Sequence, residues 1–186
     1  MRERSRRVAA VAALTATLGT MGVANAATSG ARPGPPAAEG RSLDTYSVFT
    51  SRYSGRCLDV AGSSSLDEAN IHQWDCVGVA NQHWKLAPTG DGYYYITAQH
   101  SGKCLDVDTR AANGDYGGNV HQYHCWGGTN QQWRLDYIGD GYYYVVSRHN
   151  SKCLDVDTRS GNVNGANVHN WTCWGGNNQM WKIAAA

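Results

Sequence analysis

This 186-residue sequence predicts an all-β fold of about twelve short strands closed around a pseudo-threefold axis. Three observations predict it. A set of landmarks recurs three times, 47 to 49 residues apart. The composition favours strands and turns over helices: Gly is abundant, Tyr and Trp outnumber the single Phe, and beyond residue 26 only Glu39 and Glu68 are glutamates. No segment carries the apolar period of an amphipathic helix.

The first landmark is Cys57-Leu58-Asp59-Val60, repeated as Cys104-Leu105-Asp106-Val107 and Cys153-Leu154-Asp155-Val156. The second is Asn81-Gln82-His83-Trp84, repeated as Asn130-Gln131-Gln132-Trp133 and Asn178-Gln179-Met180-Trp181. A second cysteine stands between them each time, at Cys76, Cys125 and Cys173. Such self-similarity is the mark of a repeat architecture. A period near 48 also suits a propeller blade, but propellers typically need about four or more blades. Three repeats fit a closed threefold barrel better.

The chain reads in order as follows. Arg2, Arg4, Arg6 and Arg7 form a basic start, Val8–Val23 is apolar or small, and Ala24-Asn25-Ala26 offers a small-x-small cleavage site, so residues 1–26 read as an export signal. The apolar run is shorter than the ~20 residues that span a bilayer. Residues 27–43, rich in Pro, Gly, Ala and Ser, read as a flexible linker. Residues 44–186 form the repeat domain, with repeats at about 44–90, 91–138 and 139–186. Each repeat opens on a Tyr-led strand (Tyr46–Thr50, Tyr93–Thr97, Tyr142–Val146), preceded in the second and third by Asp91-Gly92 and Asp140-Gly141 turns. The Cys-Leu-Asp-Val strand, a strand running towards the second Cys and the Gln-x-Trp strand follow.

Charge narrows the function classes. Without residues 1–26 the chain has 12 basic and 14 acidic residues. That balance makes no electrostatic case for nucleic acid or an anionic membrane. No later apolar run spans a bilayer. The Ala-rich signal and an even number of cysteines point to a bacterial, extracellular protein with disulfides.

The repeated Cys-Leu-Asp-Val and Asn-Gln-x-Trp motifs resemble those of the ricin-type β-trefoil lectins, a family that includes carbohydrate-binding modules of bacterial glycoside hydrolases. The resemblance covers residues 44–183 and implies a β-trefoil that binds glycans. Six cysteines allow fifteen pairings; the repeat symmetry favours one bridge inside each repeat, Cys57–Cys76, Cys104–Cys125 and Cys153–Cys173. No Cys-x-x-Cys spacing suggests zinc. Trp84, Trp133 and Trp181 read as core, since burying an indole removes a large apolar area from water.

The candidate sugar sites are three copies of one constellation: Asp59, His72, Trp74, Asn81 and Gln82; Asp106, His121, Tyr123, Asn130 and Gln131; Asp155, His169, Trp171, Asn178 and Gln179. A sugar needs an aromatic face for its C–H patch and fixed polar groups for its hydroxyls. The aromatic follows the His by two residues, so on a strand both share one face. In the family, the matching Asp accepts the sugar hydroxyls, the aromatic stacks on the ring, the Asn bonds the sugar and the Gln orients the Asp.

Around this set the repeats are unequal. Asp106/Asp108 and Asp155/Asp157 form Asp-x-Asp pairs where repeat one has Ala61. Too few ligands accompany them for calcium, and the second Asp reads as loop rim. Cys125-Trp126-Gly127-Gly128 and Cys173-Trp174-Gly175-Gly176 match each other, whereas repeat one reads Cys76-Val77-Gly78-Val79. Asn170-Trp171-Thr172 fits a glycosylation sequon, but modification would obstruct the site and the signal looks bacterial.

A glycosidase needs two opposed carboxylates, one with a raised pKa; here single Asp residues recur by symmetry and no nucleophile elbow, zinc-protease or phosphate-loop motif occurs. The sequence therefore predicts a monomeric, non-catalytic, secreted binder of glycans or polysaccharides, galactose-type or xylan-type, without metal or cofactor. Each site is expected to be weak, roughly millimolar or about −4 kcal/mol, with avidity across three. The alternatives are a trefoil that binds or inhibits a protein through its loops, and a detached accessory module of a glycoside hydrolase.

Overall fold

The structure is a computed structural model and describes residues 45–110 and 117–186. The export signal of residues 1–26 and the linker of 27–43 lie outside the described residues. The described residues form twelve strands: β1 (Ser47–Ser51), β2 (Cys57–Val60), β3 (Ile71–Trp74), β4 (Trp84–Pro88), β5 (Tyr94–Ala98), β6 (Cys104–Val107), β7 (Gly118–Tyr123), β8 (Gln132–Gly139), β9 (Tyr142–Ser147), β10 (Cys153–Val156), β11 (Val168–Trp171) and β12 (Met180–Ala185). The Tyr-led strands thus begin within one residue of their expected starts.

Six strands close on themselves. β1 pairs β4, β4 pairs β5, β5 pairs β8, β8 pairs β9, β9 pairs β12 and β12 returns to β1, all antiparallel. Closure removes the unpaired edges that an open sheet would expose. The remaining strands form three hairpins, β2–β3, β6–β7 and β10–β11. These touch one another around the axis: β11 pairs β7, and single bridges join Asn70 to His121 and His72 to Asn167. On the axis three equivalent asparagines close a ring. Asn70 donates to Asn167 Oδ1 at 2.8 Å, Asn167 to Asn119 Oδ1 at 3.0 Å, and Asn119 to Asn70 Oδ1 at 2.9 Å. This is the β-trefoil arrangement, a six-stranded barrel with a triplet of hairpins.

The core is built from matching positions of the three repeats. Phe49, Ile96 and Val145 are buried together with Leu58, Leu105 and Leu154. Trp84, Trp133 and Trp181 are wholly buried, as the sequence reading expects. Their indole N–H groups donate to the Leu58, Leu105 and Leu154 carbonyls at 3.0, 2.9 and 3.0 Å. Each buried indole thereby satisfies its one donor and ties the last strand of its repeat to the Cys-Leu-Asp-Val strand. The three disulfides form within repeats, Cys57–Cys76, Cys104–Cys125 and Cys153–Cys173, with Cα atoms 5.1–5.2 Å apart.

Two local features differ from the strand-based reading. The Asn-Gln pair of each motif lies in a 3₁₀ turn (Ala80–Gln82, Thr129–Gln131, Asn177–Gln179), with the strand starting one or two residues after Gln. The Asp140-Gly141 turn has φ of 52° and 78°, the two positive values that a type I′ hairpin turn requires. At the Asp91-Gly92 turn the positive φ falls on Gly90 and Gly92 instead, and the connection is longer.

Candidate functional site

Hairpin register brings the constellation together. Asp59 faces His72, Asp106 faces His121 and Asp155 faces His169, while the first Cys of each hairpin faces the aromatic. Each His Nε2 meets Asp Oδ1, at 2.9, 3.1 and 3.1 Å. An ionised carboxylate can only accept, so the hydrogen of this bond is carried by Nε2. His and aromatic do share a face: the rings stack at 5.3, 5.7 and 5.2 Å for His72–Trp74, His121–Tyr123 and His169–Trp171. Alternate strand residues point the other way. Gln73 donates to Val163 O, and Gln122 to Ser64 O and Leu66 O, binding the first two hairpins to the preceding loop around the axis.

The Gln of the 3₁₀ turn anchors the carboxylate. Gln82, Gln131 and Gln179 donate to Asp Oδ2 at 2.9, 2.8 and 2.7 Å. Their second hydrogens go to the carbonyls of Asp75, His124 and Thr172. Their Oε1 atoms accept from the N–H of Val77, Trp126 and Trp174. With every polar atom engaged and at most 1% exposed, these glutamines position the Asp and leave nothing for a ligand. The aspartates are also deep, at 2–4% exposed. In repeats two and three they accept a further bond, from Asn130 and Asn178 to Oδ1 at 2.9 and 2.8 Å. Both asparagines also donate to a strand carbonyl, Val107 O and Val156 O. Their amide hydrogens are thus used, and the carbonyl oxygen is the part able to accept from a ligand. Asn81 differs: it donates to Val60 O at 3.1 Å and forms no bond to Asp59.

The surface over these groups is a shallow cleft in repeat two, of about 210 Å³, lined by Asp106, Asp108, Arg110, Tyr123, Trp126 and Asn130 among others. It is smaller than the roughly 300–1,000 Å³ of drug-sized pockets. The second Asp of each Asp-x-Asp pair serves the rim. Asp108 holds Arg110 at 3.0 Å and Asp157 holds Arg159 at 2.6 Å. The guanidinium hydrogen bonds of Arg110 and Arg159 hold these two carboxyls well below the usual range, at about 2.

Each site also leans on the neighbouring repeat, which the sequence reading did not foresee. Asp67 of the repeat-one loop accepts from the backbone and Nδ1 of His124, beside Tyr123, and pairs with Lys103. Glu68 pairs with Arg110. Around the axis, Asn164 of the repeat-three loop bonds Asp75 and Arg56 beside Trp74. Gly117 packs against Asn170 so closely that a Cβ there would overlap the Asn170 carbonyl. Asn170 itself is fully buried, so the sequon at this position is closed to modification in the folded chain.

Residues 92–186 match the family described as ricin-type beta-trefoil lectin domain, and residues 38–123 the related description ricin-type beta-trefoil lectin domain-like. Among solved structures the chain is similar to ThreeFoil, a designed threefold symmetric protein, at 47% identity over 75% of this chain and 97% of that one, with a TM-score of 0.70. It is 37% identical to an exo-beta-1,3-galactanase of Clostridium thermocellum over 77% of this chain but 30% of that one, with a TM-score of 0.72. A Macrolepiota procera ricin B-like lectin, solved in complex with lactose, shares the fold at 20% identity, covering 78% of this chain and 98% of that one, with a TM-score of 0.65. Among curated proteins no sequence matches the chain.

Proposed function

Because the chain belongs to the ricin-type β-trefoil lectins, we propose that it is a secreted glycan binder that holds galactose-type sugars or xylan-type polysaccharide weakly at three sites on one rigid body. The family domain is a carbohydrate-binding module and not a catalytic one. One observation carries the reading: an anchored Asp–His pair with an aromatic ring stacked on the same His occurs three times at equivalent positions. The ring supplies an apolar face, and the His and Asn beside it supply fixed polar atoms. Each buried carboxylate is already tied to Gln and His, an arrangement for orientation and not for proton transfer. Three weak sites on a repetitive ligand gain avidity by 10²-fold or more when they engage together. Secretion is supported by the export-signal pattern of residues 1–26 and by three disulfides.

Retention of the intact chain on immobilised lactose and on insoluble xylan, with elution by the free sugar, tests the reading. Binding to at least one is expected, and the triple variant Trp74→Ala, Tyr123→Ala, Trp171→Ala should lose it. Retention that free sugar does not displace would point instead to loops that bind a protein. The similarity to part of the galactanase chain favours a second reading, an accessory module working beside a glycoside hydrolase. Faster release of sugar from insoluble polysaccharide when the chain is added to such an enzyme would separate it from a free-standing lectin.

A further inference from the structure

Repeats two and three carry a tryptophan after the second cysteine that neither the core nor the polar base requires. Trp126 is 58% and Trp174 65% exposed. Leaving a large apolar ring in water forgoes the gain of burying it, yet neither ring is loosely placed. The backbone N–H of each is held by the anchoring Gln, and each indole lies across the glycine two residues on. A Cβ at Gly128 would overlap the Cζ2 and Cη2 atoms of Trp126 and stand 2.5 Å from Asn130 Oδ1; Gly176 stands in the same relation to Trp174 and Asn178.

These two glycines have ordinary extended backbone, with φ, ψ of −64°, 155° at Gly128 and −72°, 153° at Gly176. Any residue adopts that conformation, so it is the space over the backbone that calls for glycine. Repeat one lacks both partners. Val77 and Val79 stand at the same distances from Cys76 and Asn81, and there Asn81 forms no bond to Asp59. Tryptophan and glycine thus occur together twice and are replaced together once.

Trp126 lines the same cleft as Tyr123, His121 and Asn130, but enters from the loop beyond Cys125 while Tyr123 stands on β7. We propose that Trp126 and Trp174 are second aromatic walls of sites two and three, specificity-determining residues that hold an apolar face of a bound glycan in concert with Tyr123 and Trp171. Sites two and three therefore bind more tightly than site one. This inference rests on the glycan reading above. A pyranose presents C–H groups on both faces of its ring, so a second wall adds contact that the first cannot make. A ring already seated on glycine also loses little freedom when the sugar arrives.

Titration of the intact chain with lactose and, separately, with xylotetraose tests it, following the indole N–H resonances by NMR. The resonances of Trp126 and Trp174 should shift with the added sugar. Trp126→Ala and Trp174→Ala should each weaken the site that bears them about tenfold, equivalent to ~1.4 kcal/mol. Gly128→Val keeps the indole but removes its seat and should weaken site two similarly; the backbone accepts valine at this place, as Val79 shows where Val77 replaces the tryptophan. Unfolding midpoints near that of the wild-type chain would exclude a loss through misfolding. If Trp126→Ala and Trp174→Ala bind undiminished while Tyr123→Ala and Trp171→Ala lose binding, the second wall is overturned and the glycan reading stands. If the wild-type chain binds neither sugar, the glycan reading and the inference fall together.

Discussion

Repeat one and repeats two and three share a floor and differ in the rim above it. In all three, Asp, His and Gln meet within about the same 2.7–3.1 Å. The rim of repeats two and three adds an Asp–Arg clamp, a tryptophan on a glycine seat and an Asn bonded to the Asp. Repeat one has Ala61, Val77 and Val79 instead. The difference shows which groups can vary alone. The floor is buried and shares its Gln with a backbone turn, so changing one member leaves several polar groups unpaired at about 1–3 kcal/mol each. The Trp and Arg side chains of the rim face solvent, where most substitutions stay within about 0.5 kcal/mol, and they can diverge without disturbing the barrel.

The largest expected effect tests the claim that the repeats are equal below the surface. Trp84→Ala, Trp133→Ala and Trp181→Ala should each cost about 3–5 kcal/mol, through the lost ring and the cavity it leaves. Denaturant unfolding with the disulfides intact measures this, and a value for Trp84 far below the other two would break the equivalence. A smaller effect sharpens the contrast above the floor. Val77→Trp combined with Val79→Gly gives repeat one the tryptophan and glycine seat of its neighbours, and its affinity in the NMR titration should rise about tenfold towards theirs.

The smallest effect concerns charge at the rim. Asp108 and Asp157 should titrate at about 2, below the ~3.9 of an unperturbed Asp. A carboxyl depressed in the folded state adds stability that is present above its unfolded pKa and is lost as pH falls through about 2. Because Arg110 and Arg159 are largely exposed, the gain should stay below ~1 kcal/mol. Carboxyl NMR titration should show both midpoints rising in Arg110→Ala and Arg159→Ala. Repeat one, with Ala61 in this place, has no counterpart to this Asp–Arg pair.

Much of the site was legible because its members lie on short local elements. The two-residue step from His72 to Trp74 places both rings on one face, and the same step holds at His121 and His169. The pairing of Asp59 with His72 is a hairpin partnership within one repeat. The place of Gln82 was harder to read: the motif suggests a strand, whereas the side chain folds back on Val77 and makes a 3₁₀ turn. The seat under Trp126 had a signal, the shared Trp-Gly-Gly, but only the ordinary φ of Gly128 shows that space and not backbone freedom is needed there.

By itself the sequence determined the threefold repeat, the strand pattern, the pairing of cysteines within repeats and the face on which Asp, His and the aromatic meet. All of these follow from periodicity and from partners at most about two dozen residues apart. The tertiary structure alone decided how deep the carboxylates lie, and that Asp67 supports His124 and Asn164 supports Asp75 across repeats. Those contacts join residues 57 and 89 positions apart. They exist only once the barrel has closed and brought each loop against the next hairpin, and no local period in the chain encodes that approach.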